Sequence, residues 1–210
     1  MLFKDPFIIQ PETFSLIQEL QSLEFLKAFY LVGGTSLALQ LGHRNSIDID
    51  FFTQNEFDDA ELIENLLKNF QINIVFSKSN TLIGEINGIK TDFIRHNYPL
   101  LRDPITEEGI TYLSMEDIAA MKLHAIVNSG KRLKDFIDIY FLLEHFSLKM
   151  MLSFYQEKYP HMNQMIALKA INFFDEIDPD IDPPILKNPI SILKIKKRIN
   201  EAVLKSNKIF

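Results

Sequence analysis

The chain has 210 residues, 47% of them hydrophobic, which is enough for the core of one ordinary domain or two small ones. It has no cysteine, which excludes disulfides and thiolate metal sites, and its net charge of −6 argues against a general nucleic-acid binder. No apolar run approaches the ~20 residues that span a bilayer, and the N-terminus lacks a signal-peptide core, so we expect a cytoplasmic protein with no membrane partner.

The first half mixes helical and strand-like patterns. Apolar residues recur at helical spacing in three segments, which are 12–27, 35–41 and 58–70. Short β-prone runs predict five strands, which are 29–32, 47–52, 72–76, 81–86 and 89–94. The last two strands flank Asn87-Gly88, a dipeptide typical of a tight hairpin turn.

The second half shows the helical pattern alone. Ser114-Met-Glu-Asp117 fits a capped helix start. The predicted helices cover 114–128, 133–145, 148–158 and 190–206. An Asp- and Pro-rich loop is expected at 175–189. The fold class is therefore α+β, with an N-terminal domain over 1–112 and a helical domain over 113–210.

Asp48 and Asp50 lie two residues apart in a predicted strand, so both side chains point to one face, about 6–7 Å apart at the backbone. Like charges held this close are costly unless something neutralises them. A hard cation does so, because Mg2+ takes oxygen ligands from one or two carboxylates plus substrate phosphates. The alternative is an exposed strand edge without a ligand. The large apolar residues around the pair tie the strand into a core, which favours the cation site.

A glycine turn, Gly33-Gly34-Thr35-Ser36, joins a predicted strand to a predicted helix. Two glycines let the backbone approach a ligand closely, and the helix start directs amide groups and a positive dipole end at an anion. The Thr35 and Ser36 hydroxyls add donors. The spacing is neither a P-loop nor a dinucleotide turn, and an ordinary capped turn is the alternative to a phosphate cradle.

Three further charged positions are candidates for the same site. Asp92 stands inside an apolar strand, where aspartate is disfavoured, so it either faces solvent or joins Asp48 and Asp50 in a three-carboxylate, two-metal cluster. Lys122 lies on a helix among apolar neighbours. Arg44 precedes the Asp48 strand and could meet either a phosphate or a surface acid.

The charges of two segments in the second half can be explained either by a solvated surface or by a functional role. In the stretch 130–138, Lys134 and Asp138 are spaced for an i, i+4 ion pair on a solvated helix. Residues 187–210 hold seven Lys/Arg and one acidic residue. They form either a solvated basic helix or a small surface for RNA, phosphate or an acidic partner.

The segment 29–52, FYLVGGTSLALQLGHRNSIDIDFF, resembles the AbiEii/AbiGii toxin family. Its members are nucleotidyltransferase-like proteins of bacterial abortive-infection toxin–antitoxin systems. The later segments 122–126, KLHAI, and 134–140, KDFIDIY, are also similar to that family. The resemblance covers roughly 25–145. It departs seven residues after Lys122, where members often carry arginine and this chain has Ser129.

The resemblance implies a DNA polymerase β-like nucleotidyltransferase core, a mixed sheet with flanking helices, followed by a helical domain. It assigns the glycine turn to nucleotide phosphates and Asp48 and Asp50 to metal. It places Lys122 near phosphate, and Lys134, Asp135 and Asp138 in a downstream basic–acidic motif. Asp92 matches the third carboxylate of the wider superfamily by its strand context.

The expected activity is transfer of a nucleoside monophosphate from a nucleoside triphosphate, with Mg2+ or alternatively Mn2+ as cofactor. Expected acceptors are a tRNA-like RNA or a protein hydroxyl, and an antitoxin is the expected protein partner. The alternatives are a non-catalytic module that binds nucleotide or a partner, and a small-molecule nucleotidyltransferase of the antibiotic-modifying kind.

Overall fold

The computed structural model describes residues 1–210 and divides them into two compact units. Unit 1 comprises 1–42, 46–98 and 104–113. Unit 2 comprises 43–45, 99–103 and 114–210. The sequence suggested a single cut after residue 112, whereas two short segments of the first half belong to the helical unit.

Unit 1 is a seven-stranded mixed sheet with three helices. The helices are α1 (Pro11–Ser22), α2 (Gly33–Leu41) and α3 (Asp59–Leu67), with a 3-10 turn at Glu24–Leu26. The strands are β1 (Tyr30–Val32), β2 (Ile49–Thr53), β3 (Ile72–Ser77), β4 (Thr81–Ile86), β5 (Ile89–Arg95), β6 (Ile105–Glu107) and β7 (Ile110–Tyr112). Their order is β3-β4-β5-β2-β1-β7-β6; β2 is parallel to β5, β1 is parallel to β7, and the other pairs are antiparallel.

Alternation along the central strands separates a core face from a polar face. Ile49 and Phe51 of β2 are fully buried in the core of unit 1, together with Phe93 of β5. Asp50 lies between the two buried β2 residues and therefore faces the other side of the sheet. The strand registers place Val32, Asp50 and Asp92 side by side on β1, β2 and β5.

Unit 2 is built from helices. They are α4 (Met115–Asn128), α5 (Leu133–Leu142), α6 (Leu148–Lys158), α7 (Gln164–Ile171) and α8 (Ile192–Leu204). Ser114 caps α4 by accepting a hydrogen bond from the Asp117 amide. Asp117 also forms a fully buried ion pair with Lys158 at 2.7 Å and accepts the backbone amide of Leu101 at 3.1 Å. These bonds attach 99–103 to the helical unit.

Most predicted elements occur in the structure within a few residues, and the α+β fold class is confirmed. Asn87 and Gly88 form the predicted turn with φ values of 51° and 79°. Three short elements were not predicted, namely β6, β7 and α7. The first helix is shorter than expected because the chain leaves it at Ser22. No helix has the length and apolar character needed to cross a membrane.

Candidate active site

Three carboxylates lie together on the polar face of the unit 1 sheet, and we call Asp48, Asp50 and Asp92 the carboxylate row. Asp50 is directly opposite Asp92 in the parallel β2–β5 ladder. Asp48 lies one residue before β2 begins, not inside the strand as predicted. Its charge nevertheless acts on Asp92 and on Lys90. Asp50 and Asp92 are therefore neighbours in the sheet, and Asp48 is close enough for its charge to act on Asp92.

The glycine turn lies against Asp50. Gly33 is the first residue of α2 and has φ +70°, a conformation that side chains disfavour. A Cβ atom there would lie 3.1 Å from the Asp50 carboxylate carbon and would overlap its Oδ2 atom. Val32, the N-cap residue, provides no side-chain cap for the helix. A metal-type carboxylate and a helix start suited to an anion therefore lie in direct contact.

The hydroxyls of Thr35 and Ser36 are turned inward. Both residues are only 1% exposed. Thr35 donates to the carbonyl oxygen of Asp48 and hydrogen-bonds the Ser46 hydroxyl at 2.8 Å. Ser36 accepts a hydrogen bond from the Gln40 amide at 3.1 Å. Thr35 therefore fixes the segment that leads into Asp48, and neither hydroxyl is displayed as the phosphate donor that the sequence suggested.

Lys90 accompanies the carboxylate row. Its Nζ lies 3.4 Å from Asp92 Oδ2. Burial would lower the pKa of Lys90, but the charges of Asp92, Asp48 and Asp50 outweigh it and raise that pKa. Lys90 was not among the predicted site residues. Its i, i+2 spacing from Asp92 was the available signal.

Asp92 is a buried carboxylate with one unsatisfied oxygen. It is 7% exposed, and its buried Oδ1 has no hydrogen-bond partner. Burial raises the pKa of Asp92, and the nearby Asp48 charge adds to this increase against the opposing effect of Lys90. An oxygen that lacks a partner in such a place is suited to receive a proton.

The carboxylate row does not form the three-carboxylate metal site that the sequence suggested. No group of three or more His, Cys, Asp or Glu side chains in the chain is arranged to hold a metal ion. The predicted three-carboxylate, two-metal cluster is therefore not found, and Asp92 lies beside Lys90 instead. Asp48 and Asp50 match in number and type the one or two carboxylates that Mg2+ typically takes from a protein.

Unit 2 contains a second charged group, which includes several of the other predicted site residues. We call it the buried ion cluster, and its members are His43, Arg44, Lys122, Asp135 and Asp138. Lys122 Nζ lies 2.7 Å from Asp135 Oδ1 and 2.7 Å from Asp138 Oδ2. Arg44 donates to both Asp138 oxygens, at 2.7 and 3.0 Å. His43 Nε2 is 2.8 Å from Asp138 Oδ1.

Opposing charges keep this cluster ionised despite its burial. Burial would raise the pKa of Asp138, but Arg44 and Lys122 hold it well below the usual value. Burial would lower the pKa of Lys122, and Asp135 and Asp138 raise it instead. His43 differs, since burial lowers its pKa more than Asp138 raises it, and its Nδ1 has no partner. The lowered pKa favours the neutral imidazole, and its Nε2 is placed to donate to Asp138.

The ion pairs of α5 differ from the predicted ones. Lys134 was expected to pair with Asp138 on a solvated helix, and that prediction is wrong, because Asp138 is fully buried and Lys134 instead pairs with Asp182. Arg132 also pairs with Asp182, at 3.1 Å. Arg44 pairs with an acidic residue, which was one of the two alternatives. That residue, Asp138, is buried and not on the surface as the alternative supposed. The nucleotide-binding roles expected of Arg44, Lys122, Lys134 and Asp135 stay predictions.

A sequence profile described as "Nucleotidyl transferase AbiEii toxin, Type IV TA system" matches residues 16–103 and 83–194. The chain belongs to this family. The Aquifex aeolicus (strain VF5) protein aq_aa25, described as uncharacterized, is 33% identical over 185 residues, covering 83% of this chain and 89% of that protein.

Two solved structures share the fold of this AbiEii family member. MenT4, the nucleotidyltransferase toxin Rv2826c from Mycobacterium tuberculosis H37Rv, is 15% identical with a TM-score of 0.56, over 92% of this chain and 84% of MenT4. JHP933 from Helicobacter pylori is 16% identical with a TM-score of 0.53, over 92% and 90% of the two chains. Family membership confirms the resemblance found in the sequence: the protein is a nucleotidyltransferase of the toxin–antitoxin class.

Proposed function

We propose that this AbiEii family toxin transfers a nucleoside monophosphate from a nucleoside triphosphate to a hydroxyl group, with Mg2+, or alternatively Mn2+, as cofactor. The observation that carries the proposal is the contact of Asp50 with Gly33. It brings a carboxylate suited to a metal and a helix start suited to phosphate within van der Waals distance. In phosphoryl-type transfer, such positioning and electrostatics supply most of the rate gain.

In this proposal the α2 N-terminus receives the triphosphate, and Asp48 and Asp50 hold the cation. A Mg2+ ion held by these two carboxylates would supply positive charge that offsets the negative charge of the triphosphate and of the leaving pyrophosphate. Thr35 keeps Asp48 in place through its hydrogen bond to the Asp48 carbonyl. Gly33 leaves room for Asp50, so that the carboxylate and the helix start face the same phosphates.

The proton of the attacking hydroxyl goes to Asp92. The acceptor oxygen forms its bond to the α-phosphorus, the bond to pyrophosphate breaks, and the proton moves to the Asp92 carboxylate. The partnerless Oδ1 and the raised pKa of Asp92 support this role, because a carboxylate of raised pKa is the stronger base.

The acceptor is proposed to be an RNA such as tRNA, with a protein hydroxyl as the second candidate. The basic helix α8 supports RNA, because Lys194 and Lys197 are exposed on it. An antitoxin is the partner that membership of a toxin–antitoxin family supports.

In the test, the protein is incubated with Mg2+ and each of the four α-32P-labelled nucleoside triphosphates. Total RNA or total protein from a bacterial extract serves as the acceptor, and the label transferred to each fraction is measured. The wild type is compared with Asp48→Asn. We expect label in the RNA fraction, lost in the variant although circular dichroism shows it folded. Label in protein would move the acceptor to a protein hydroxyl. Equal labelling by the variant, or none from either protein with any nucleotide, would overturn the proposal.

A further inference from the structure

Three aromatic side chains lie on the polar face of the unit 1 sheet, and we call Phe52, His96 and Tyr98 the aromatic row. The Phe52 and His96 rings stack with centroids 4.9 Å apart and planes 26° apart. The His96 and Tyr98 rings follow at 4.8 Å and 48°. All three residues are half-buried, whereas the neighbouring Phe51 is fully buried in the core. The row is therefore an ordered aromatic surface outside the hydrophobic core.

Backbone hydrogen bonds hold this row in place. The His96 amide donates to the Thr53 carbonyl at 2.8 Å, which extends the β2–β5 ladder beyond Arg95. The Tyr98 carbonyl accepts the Gln54 side-chain amide at 2.8 Å. Arg95 donates to the Gln54 carbonyl at 3.3 Å. A ring surface fixed in this way loses little conformational freedom when a flat ligand stacks on it.

The aromatic row continues the carboxylate row along the same strand. Phe52 follows Asp50 by two residues in β2, so the two side chains leave the same sheet face about 6–7 Å apart at the backbone. On β5, Ile94 lies opposite Phe52 and Asp92 lies opposite Asp50. A nucleotide with its phosphates at Asp50 can therefore extend its sugar and base toward Phe52.

We propose that the aromatic row is the stacking platform for a nucleobase, with Phe52 as the ring nearest to the carboxylates. This inference rests on the proposed nucleotidyl transfer and adds a base subsite to it. Stacking on aromatic rings tolerates any base, since each has a π-face, and truncating one such ring typically weakens binding about 5- to 150-fold. The base belongs either to the nucleoside triphosphate or to the RNA acceptor.

The sequence offers a direct reporter because the chain contains no tryptophan. Phe52→Trp keeps an aromatic ring in the platform and makes its fluorescence the only indole signal. A stacked base quenches that signal. Phe25→Trp is the matched control, because Phe25 is also in unit 1, is 37% exposed and lies outside both rows. Titrations use the four nucleoside triphosphates, tripolyphosphate and a short single-stranded RNA, with calorimetry to measure binding independently.

Saturable quenching of Phe52→Trp by nucleoside triphosphates but not by tripolyphosphate would establish the platform and assign the base to the triphosphate. Quenching by RNA alone would establish it and assign the base to the acceptor. Calorimetric binding without quenching would overturn the platform and leave the proposed function standing. If neither nucleotide nor RNA binds, the proposed function fails and the platform with it.

Kinetics provide a second readout. Phe52→Ala and His96→Ala should raise the KM of the base-bearing substrate about 5- to 150-fold. Phe52→Tyr keeps an aromatic ring and should leave the KM close to the wild-type value. Phe25→Ala should match the wild type. Equal KM values for wild type and both platform variants, with all proteins folded, would contradict the proposal.

Discussion

At the scale of single residues, Gly33 combines two requirements that no other amino acid meets. Its φ of +70° is unfavourable for a side chain, and a Cβ would overlap the Asp50 carboxylate. We expect Gly33→Ala to lower the free energy of unfolding by about 1–2 kcal/mol from backbone strain alone. Displacement of Asp50 should also reduce transfer roughly 100-fold, because such chemistry is sensitive to shifts of about 1 Å.

Gly88→Ala is the matched control for this substitution. Gly88 has φ +79°, but nothing lies within 4 Å of a Cβ atom built there. It should show the same loss of stability in urea unfolding and keep wild-type transfer. If both variants retained full transfer, Asp50 would not depend on the space that Gly33 leaves.

The neutral His43 should give the stability of unit 2 a pH dependence. Burial holds the pKa of His43 below its unfolded value of 6.5. A group with a depressed pKa stabilises the fold above its unfolded pKa and loses that contribution as pH falls through the folded value. The free energy of unfolding should therefore decrease as pH falls below about 6.5, because Arg44 and Lys122 oppose a further positive charge.

His43→Gln tests this dependence, since glutamine retains a donor for Asp138 and does not titrate. Urea unfolding at several pH values below 7 should give a flatter stability profile for the variant. His124, whose pKa is also lowered by burial, remains in both proteins and cancels in the comparison. Profiles that stay parallel down to pH 5 would mean that folding does not change the pKa of His43, which would contradict this prediction.

At the scale of elements, two buried lysines of the helical unit allow a structural role to be distinguished from a catalytic one. Lys122 on α4 and Lys158 on α6 both pair with buried aspartates at 2.7 Å. Removing one partner of such a pair typically costs about 3–5 kcal/mol. Only Lys122 is also predicted to act near the nucleotide phosphates.

Lys122→Met and Lys158→Met should therefore lower the free energy of unfolding by similar amounts, about 3–5 kcal/mol each. Transfer per folded molecule, measured at low temperature, should decrease only in Lys122→Met. Equal specific activities of the two folded variants would leave Lys122 with a structural role alone.

Local signals explain why the unit around the glycine turn could be predicted. The run 29–52 carries an apolar strand, a glycine turn and a helix start within a few residues of one another. The short β6–β7 hairpin was missed because its turn residues, Glu108 and Gly109, adopt positive φ without the Asn-Gly or Asp-Gly pair that announces such turns.

Contacts between residues that are distant in sequence limited how much of the site could be predicted. Arg44 binds Asp138 across a separation of 94 residues, and no periodicity connects the two. The same holds for Lys134 and Asp182, 48 residues apart. The strand pattern made Asp92 a candidate neighbour of Asp50, and the β2–β5 pairing places the two opposite each other. By contrast, the burial of α5 depends on tertiary packing, which its local i, i+4 spacing could not reveal.

At the scale of the whole molecule, charge is distributed unevenly. The chain has a net charge of −6, yet its last 24 residues carry seven Lys/Arg and one acidic residue. Some of these cations are used within unit 2: Arg198 pairs with Glu144 at 2.5 Å, and Lys205 pairs with Glu201 at 3.1 Å. Lys194 and Lys197 are exposed on α8, and we propose them as the residues that attract an RNA acceptor.

The double variant Lys194→Gln/Lys197→Gln tests that attraction. Each phosphate contact contributes about 0.7 to the slope of log binding constant against log salt for single strands, so losing two should reduce the slope by about 1.4. The KM for RNA should rise at 0.15 M salt, while nucleotide binding stays unchanged. Lys68→Gln/Lys78→Gln, two exposed lysines of unit 1, is the control of equal charge. Equal effects from both pairs would indicate net charge alone, and no effect from either would assign the acceptor to another surface or another class of molecule.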